Sequence, residues 1–426
     1  MVTLNVGKKN MRSTKKFTIK FILITMLTTP TFFVPIVTGS SFNGNSVTFN
    51  PVFQKGMSYM ASSREAYGTA DSNESLSRLK ETRTEWVAIC VFWYQTNITT
   101  VDIRPDPERT PSNESVEIAI KRCHELGLRV MLKPMVELNE YNQKRKDILP
   151  SEEWFRHYAD FINFFAEFAN QNRVDLFCIG CEFTSMIGEE WSSAWEKIFF
   201  EVRARYLGAI TYAESWSAFE GVGWWNLVDY VGINAYFPLS EKKDPTLEEL
   251  KNEWIKIADY IERWQLEINK PVIFTEIGYQ SVNGTNMQPW NSSLVDVGEV
   301  DLQEQADCYE AALNALSQRQ WFYGFYWWYW QANPNAGGEF DRDYSPQNKP
   351  AEDILKKWYL QEWGIGAGFP WVVRVGLAIG VFWVALIIIR LVSGRARKEI
   401  EEKEKLEDAL ENRPYKDKSD VPSETT

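Results

Sequence analysis

Histidine is almost missing from this chain. Its 426 residues hold two, His124 and His157, both inside helical patterns ("AIKRCHELGLRV" and "EEWFRHYADF"). A Ser-His-Asp triad or a histidine-rich metal centre is therefore poorly supplied. Positive charge is also short. The 46 Lys and Arg face 58 Asp and Glu, and the formal net charge of -12 argues against a nucleic-acid partner. Cysteines number five, an odd count that does not suggest a disulfide framework. Cys178 and Cys181 form a CxxC, but "LFCIGCEF" reads as a strand. A period of two puts such positions on opposite faces, where one metal ion does not reach both. GxGxxG turns and P-loops are absent, which removes the usual phosphate-binding signatures.

What is present is a folded body with apolar segments at both ends. Hydrophobic residues make up 44% and charged ones 24%, the balance of a globular chain. Aromatic residues reach 15%, with 19 Trp. That suits a thick core, the default reading, or a surface that stacks on carbohydrate. "KKFTIKFILITMLTTPTFFVPIVTG" starts with lysines and stays apolar to about Val37, so residues 1–40 read as a signal peptide or an uncleaved signal anchor. "WVVRVGLAIGVFWVALIIIRLVSG" is apolar over 371–392, with Arg374 and Arg390 near its margins. It is long enough to span a bilayer. "GRARK" follows, which places the mixed-charge, disordered tail 393–426 in the cytoplasm and the large domain, 51–362, outside the cell membrane. Five N-x-[ST] acceptors, at Asn73, Asn97, Asn113, Asn283 and Asn291, add slight support for an exported glycoprotein.

Within the large domain, short apolar runs alternate with amphipathic stretches. Eight runs read as strands: "KGMSYMAS", "WVAICVFWYQ", "LRVMLKPMVE", "LFCIGCEF", "AITYAES", "VDYVGINAYFP", "VIFTEIGYQS" and "GFYWWYW". Helical patterns with apolar residues at spacings of three and four lie between them. The fifth interval, around "GVGWWNL", is too short for a full helix. Eight such units over one domain predict an α/β fold, a (β/α)8 TIM barrel.

In a barrel of this kind, chemistry sits where the strands end. Strand four ends in Glu182 and strand seven in Glu276. A lone carboxylate there is as well read as an ion-pair partner or a helix cap. Two, on strands that face each other across the mouth, can reach one ligand. Glycoside hydrolysis needs such a pair: one acid to protonate the leaving oxygen and one carboxylate to attack the anomeric carbon, at a gap of about 5 to 5.5 Å for retention. Strand three carries Lys133, which is read either as a ligand contact or as a plain ion-pair partner. Strand six carries Tyr236, whose hydroxyl either serves the site or simply meets water. On strand eight Trp328 and Trp330 share a parity, so at least one is expected to look into the mouth, while Trp327 packs against a helix.

"GMSYMAS", "LGLRVMLKP", "IGCEF", "VGINAYFP", "TEIGYQS" and "GFYWWYW", in that order, resemble glycoside hydrolase family 113, over residues 51–360. That family falls in a large clan of retaining (β/α)8 glycosidases, and its characterised members are endo-acting β-mannanases. The resemblance implies that Glu182 is the acid/base, Glu276 the nucleophile, Tyr236 a hydrogen-bond donor to that nucleophile, and Trp328 a sugar platform. It places Lys133 at a sugar-hydroxyl contact. Most of the clan has Asn directly before the acid/base, where this chain has Cys181, a weaker partner for a sugar hydroxyl. Glu182 must carry a proton at working pH, which calls for a raised pKa. The expectation is thus a membrane-anchored retaining β-glycosidase acting on an oligo- or polysaccharide, with no metal or organic cofactor implied. A glycan-binding protein on a non-catalytic barrel and a transglycosylase that remodels surface glycans are the alternatives.

Overall fold

The computed structural model describes residues 51–61, 63–361 and 363. The eight apolar runs become eight strands: β1 (Gln54–Met60), β2 (Trp86–Gln95), β3 (Arg129–Leu138), β4 (Leu176–Cys181), β5 (Ala209–Ser215), β6 (Tyr230–Asn234), β7 (Val272–Ile277) and β8 (Phe322–Gln331). All pair in parallel with their sequence neighbours, and β8 closes on β1 to complete the barrel. Seven helices of ten residues or more alternate with them among the described residues: α1 (Ala70–Glu81), α2 (Asn113–Glu125), α3 (Glu152–Gln171), α4 (Ser192–Arg203), α5 (Leu247–Ile268), α6 (Leu302–Leu316) and α7 (Pro350–Tyr359). Two 3-10 turns, Phe219–Gly221 and Trp225–Leu227, replace the missing helix between β5 and β6. Local chemistry fixes the helix starts. Thr246 and Glu249 form a reciprocal capping box at α5, and Ser112 and Ser151 each accept a backbone N–H at α2 and α3.

The core has two layers. Between barrel and helices lies a thick aromatic shell, in which Trp154 stacks on Tyr158 at 4.8 Å and Trp195 on Trp224 at 4.7 Å. Inside the barrel a smaller cluster contains Ala88, Cys90, Met131, Met135, Cys178, Cys181, Ile273 and Tyr326. Cys178 and Cys181 thus share the inner layer, against the expectation from strict alternation. The register explains it: Cys178 pairs with Thr211 and Cys181 with Ala213, so β4 carries an extra residue and the phase slips by one. All five cysteines are buried thiols.

No helix among the described residues is long and apolar enough to cross a membrane. The expected signal segment 1–40, the transmembrane run 371–392 and the tail 393–426 lie outside the described residues.

Candidate active site

β3 sends Met131, Lys133 and Met135 into the barrel, and Lys133 is fully buried there. A buried ammonium needs a partner. Its Nζ donates to Glu276 Oε1 at 2.5 Å, and Thr275 O lies 3.3 Å away. Burial alone would lower the Lys133 pKa; Cys181 and Glu276 beside it outweigh that and raise it, so the ammonium stays charged. Glu276 reaches the mouth because β7 also slips register: Ile233 faces Phe274, while Asn234, the next residue on β6, faces Glu276. Its second oxygen accepts from Tyr236 Oη at 2.8 Å. Both carboxylate oxygens are therefore aimed by a donor on another strand or strand end, and the group is only 5% exposed.

Glu182 follows β4 immediately and takes a left-handed backbone (φ 56°). Its N–H donates to Ala213 O at 2.8 Å, and its Oε1 accepts from Asn234 Nδ2 at 2.9 Å. Burial and the negative charge of Glu276 push its pKa up; Arg145, Asn234 and Lys133 pull the other way without cancelling the rise. A carboxyl so placed holds its proton to higher pH than an exposed one, as a general acid requires.

Cys181 joins the two carboxylates. Its Sγ lies 3.8 Å from Glu276 Oε1, to which it can donate, and accepts from Asn234 Nδ2 and from Arg145 Nη1, each at 3.5 Å. Arg145 is itself held by Glu137 at 2.6 Å. Trp328 is half-buried against the inner cluster, its ring centroid 6.0 Å from Lys133 Nζ. Lys133, Cys181, Glu182, Tyr236, Glu276 and Trp328 are thus brought together. Trp330 is not. It is buried behind the barrel wall and donates from Nε1 to Ser75 Oγ of α1 at 2.9 Å. Here too a bulge breaks the parity: Met57 faces Trp327 and Tyr59 faces Trp330, so β8 has one residue more than β1. Trp327 stacks on Tyr309 of α6 at 3.7 Å, in the outer layer as its parity suggested.

Several residues of the site were not singled out from sequence. Asn234 stands inside the "VGINAYFP" run, where an amide at a strand end carries no distinguishing sequence signal. Arg145 comes from an irregular loop with no local signal. Glu214, in β5, meets the same criterion that found Glu182 and Glu276, a carboxylate at a strand end. It is fully buried, accepting from Thr184 Oγ at 2.7 Å, Tyr212 Oη at 2.9 Å and its neighbour Ser215 N at 2.8 Å. Tyr212 Oη in turn accepts from Phe183 N at 3.1 Å. This carboxyl is tied to the two residues that follow Glu182.

A closed parallel barrel whose strand ends hold two carboxylates in one polar network, with an aromatic face beside them, is the arrangement of a glycosidase. The chain belongs to Glycoside Hydrolase Family 113, whose sequence profile matches residues 57–349. Among solved structures, a GH113 β-1,4-mannanase is 25% identical, with a TM-score of 0.66 over 73% of this chain and 100% of that one. The GH113 β-mannanase AaManA from Alicyclobacillus acidocaldarius, in complex with ManMIm, is 26% identical, with a TM-score of 0.65 over 72% of this chain and 97% of its own. A β-glucuronidase of Ruminococcus gnavus, 13% identical with a TM-score of 0.51, shares the fold alone. No curated protein matches the chain. The protein is a glycoside hydrolase acting on O-glycosyl bonds of a carbohydrate substrate.

Proposed function

We propose that the chain is a retaining β-glycosidase of mannan type, anchored in the membrane with its barrel outside the cell. Glu276 attacks the anomeric carbon and forms a glycosyl-enzyme ester. Glu182 protonates the departing oxygen and then, as a carboxylate, takes a proton from the water that cleaves the ester. Lys133 and Tyr236 hold the nucleophile and disperse its charge. Trp328 offers its ring face to the sugar. The observation that carries the reading is the linkage of Glu182 and Glu276 through Asn234 and Cys181 in one hydrogen-bonded network. Mannan is favoured because the similar GH113 structures are β-mannanases. Anchoring rests on the apolar run 371–392 and the basic residues after it.

Product analysis on a panel of β-linked oligosaccharides, β-1,4-mannan first, tests the substrate, and the anomer released first tests retention. Glu276→Ala should abolish turnover of every natural substrate. Glu182→Ala should retain the first step on an activated aryl β-mannoside, and azide should then yield a glycosyl azide of retained configuration. Azide with Glu276→Ala should give the inverted one. Full activity of both variants would remove the assignment.

A further inference from the structure

The face of the barrel opposite the carboxylates differs in charge from the rest of this acidic chain. Six of the seven connections that lead into β2–β8 carry a basic residue close to the strand: Arg83, Arg129, Arg173, Arg205, Lys270 and Arg319. Three acidic residues accompany them, and each is engaged. Glu85 pairs with Lys55 at 3.3 Å, Asp175 Oδ2 accepts from Val130 N at 2.8 Å, and Asp229 Oδ2 accepts from Ile210 N at 2.8 Å. The mouth side is the reverse. Its connections after β4 and β7 hold Glu182, Glu189, Glu190, Asp296, Glu299 and Asp301, with no Lys or Arg.

Arg83 and Arg173 are the informative pair. Each follows a helix, α1 or α3, in the left-handed region, at φ 68° and 54°. The helices α2 and α5 end the same way, but with Gly127 and Asn269, which that backbone favours. An arginine costs more there, and neither side chain recovers the cost within the fold. Both are exposed, and among the described residues neither guanidinium makes an ion pair or a hydrogen bond. Arg129 is exposed beside them, its guanidinium 5.3 Å from the Trp86 ring centroid. Apolar groups share the face. Leu207, 86% exposed, lies between Arg205 and β5, and Leu266 near the end of α5 and Leu360 just after α7 are exposed as well. A lone exposed leucine is ordinary; three around a cationic face make a surface both charged and apolar.

The chain also leaves from here. Trp363, the last described residue, packs at 4.9 Å on Phe53, just before β1. In sequence the apolar run begins eight residues later, at Trp371. A connection of that length reaches at most about 28 Å. We propose that this face rests on the surface of an anionic bilayer, with its arginines against lipid phosphates and its leucines in the interface. The inference rests on the anchoring proposed above and goes beyond it: the barrel is docked in one orientation, mouth away from the lipid, and not only tethered.

The test uses the full chain in nanodiscs of phosphatidylglycerol or phosphatidylcholine that carry a headgroup-attached quencher. All five native cysteines are buried, so a fluorophore reacts selectively with Gln318→Cys, on the proposed contact, or with Val297→Cys, beside the mouth. Phosphatidylglycerol should quench the first label and not the second, and phosphatidylcholine should quench neither. Arg83→Asn, Arg129→Gln and Arg173→Asn together should lower the ratio of docked to undocked barrel by about tenfold or more. Raising NaCl to about 1 M should do the same to wild type, without any substitution. Asn suits the left-handed backbone, so the triple variant should keep its stability in urea, which separates docking from folding. Equal quenching at the two positions or in the two lipids, or no response to the triple variant and to salt, overturns the docking. A Gln318→Cys label that responds to soluble polygalacturonate and not to lipid also overturns it, and makes the face a site for an acidic polymer. Alkaline carbonate extraction of host membranes scores the anchoring separately. If it releases the chain, the anchoring fails alone, and sedimentation with phosphatidylglycerol vesicles decides the rest. Binding that drops in the triple variant then supports the face, and absent binding overturns it.

Discussion

Glu182 is an L-residue held in a left-handed conformation, and something must hold it there. The bonds from Phe183 N to Tyr212, and from Tyr212 and Thr184 to Glu214, anchor the two residues that follow it. Burial raises the Glu214 pKa from its ordinary 4.5 to about 7, with the charge of Glu182 adding to the rise. The sign of the linkage is fixed by this direction. Below about 4.5 the group is protonated folded and unfolded alike. Between about 4.5 and 7 only the folded state keeps the proton, so stability falls as pH rises through that window. Glu214→Gln should flatten that fall in urea denaturation followed at several pH values. It should also lower kcat more than KM, because Glu182 loses a support and the sugar contacts do not. An unchanged pH slope would show that Glu214 does not titrate there.

At the scale of the strand, the recurring device is the bulge. Extra residues in β4, β7 and β8 shift the inward face at or near the mouth. They explain what the sequence made legible and what it hid. Strand identity, order and closure followed from apolar runs and their spacing, because hydrophobic patterning survives a one-residue slip. The two carboxylates were legible because a charge at the end of an apolar run stands out. Which neighbours share a face was not legible. Alternation put Cys178 and Cys181 apart and Trp328 and Trp330 together, and each bulge reversed the answer. Asn234, Glu214 and Arg145 escaped because their roles depend on partners in other strands and loops. Gly180 shows how tightly the β4 bulge is packed. A Cβ there would lie 2.7 Å from the Tyr212 ring and 3.2 Å from Tyr158 Oη. Gly180→Ala should cost about 1–3 kcal/mol in denaturant unfolding. It should also reduce activity by displacing Tyr212, the acceptor of Phe183 N. Wild-type stability and turnover would mean that the aromatic shell yields there.

Across the whole molecule, the carboxylates occupy one end of the barrel and the chain enters and leaves at the other. β1 starts, and α7 finishes, at the face opposite the mouth. The proposed anchoring predicts that added protease cuts within residues 51–362 on intact cells and spares the tail after Ser393. Tail digestion with a protected barrel would invert the proposed orientation.

The first strand and the last helix of the barrel are also clasped to each other. Lys55 Nζ donates to Tyr359 O at 2.9 Å, and Tyr359 Oη donates to Gly56 O at 3.1 Å. A short loop could therefore join them, and new termini opened in a surface turn elsewhere would leave the carboxylate network undisturbed. Circular permutants of the excised barrel are thus a practical design. So is coupling the excised barrel to a solid support through the start of β1 or the end of α7, which would leave the carboxylate-bearing rim directed into the liquid.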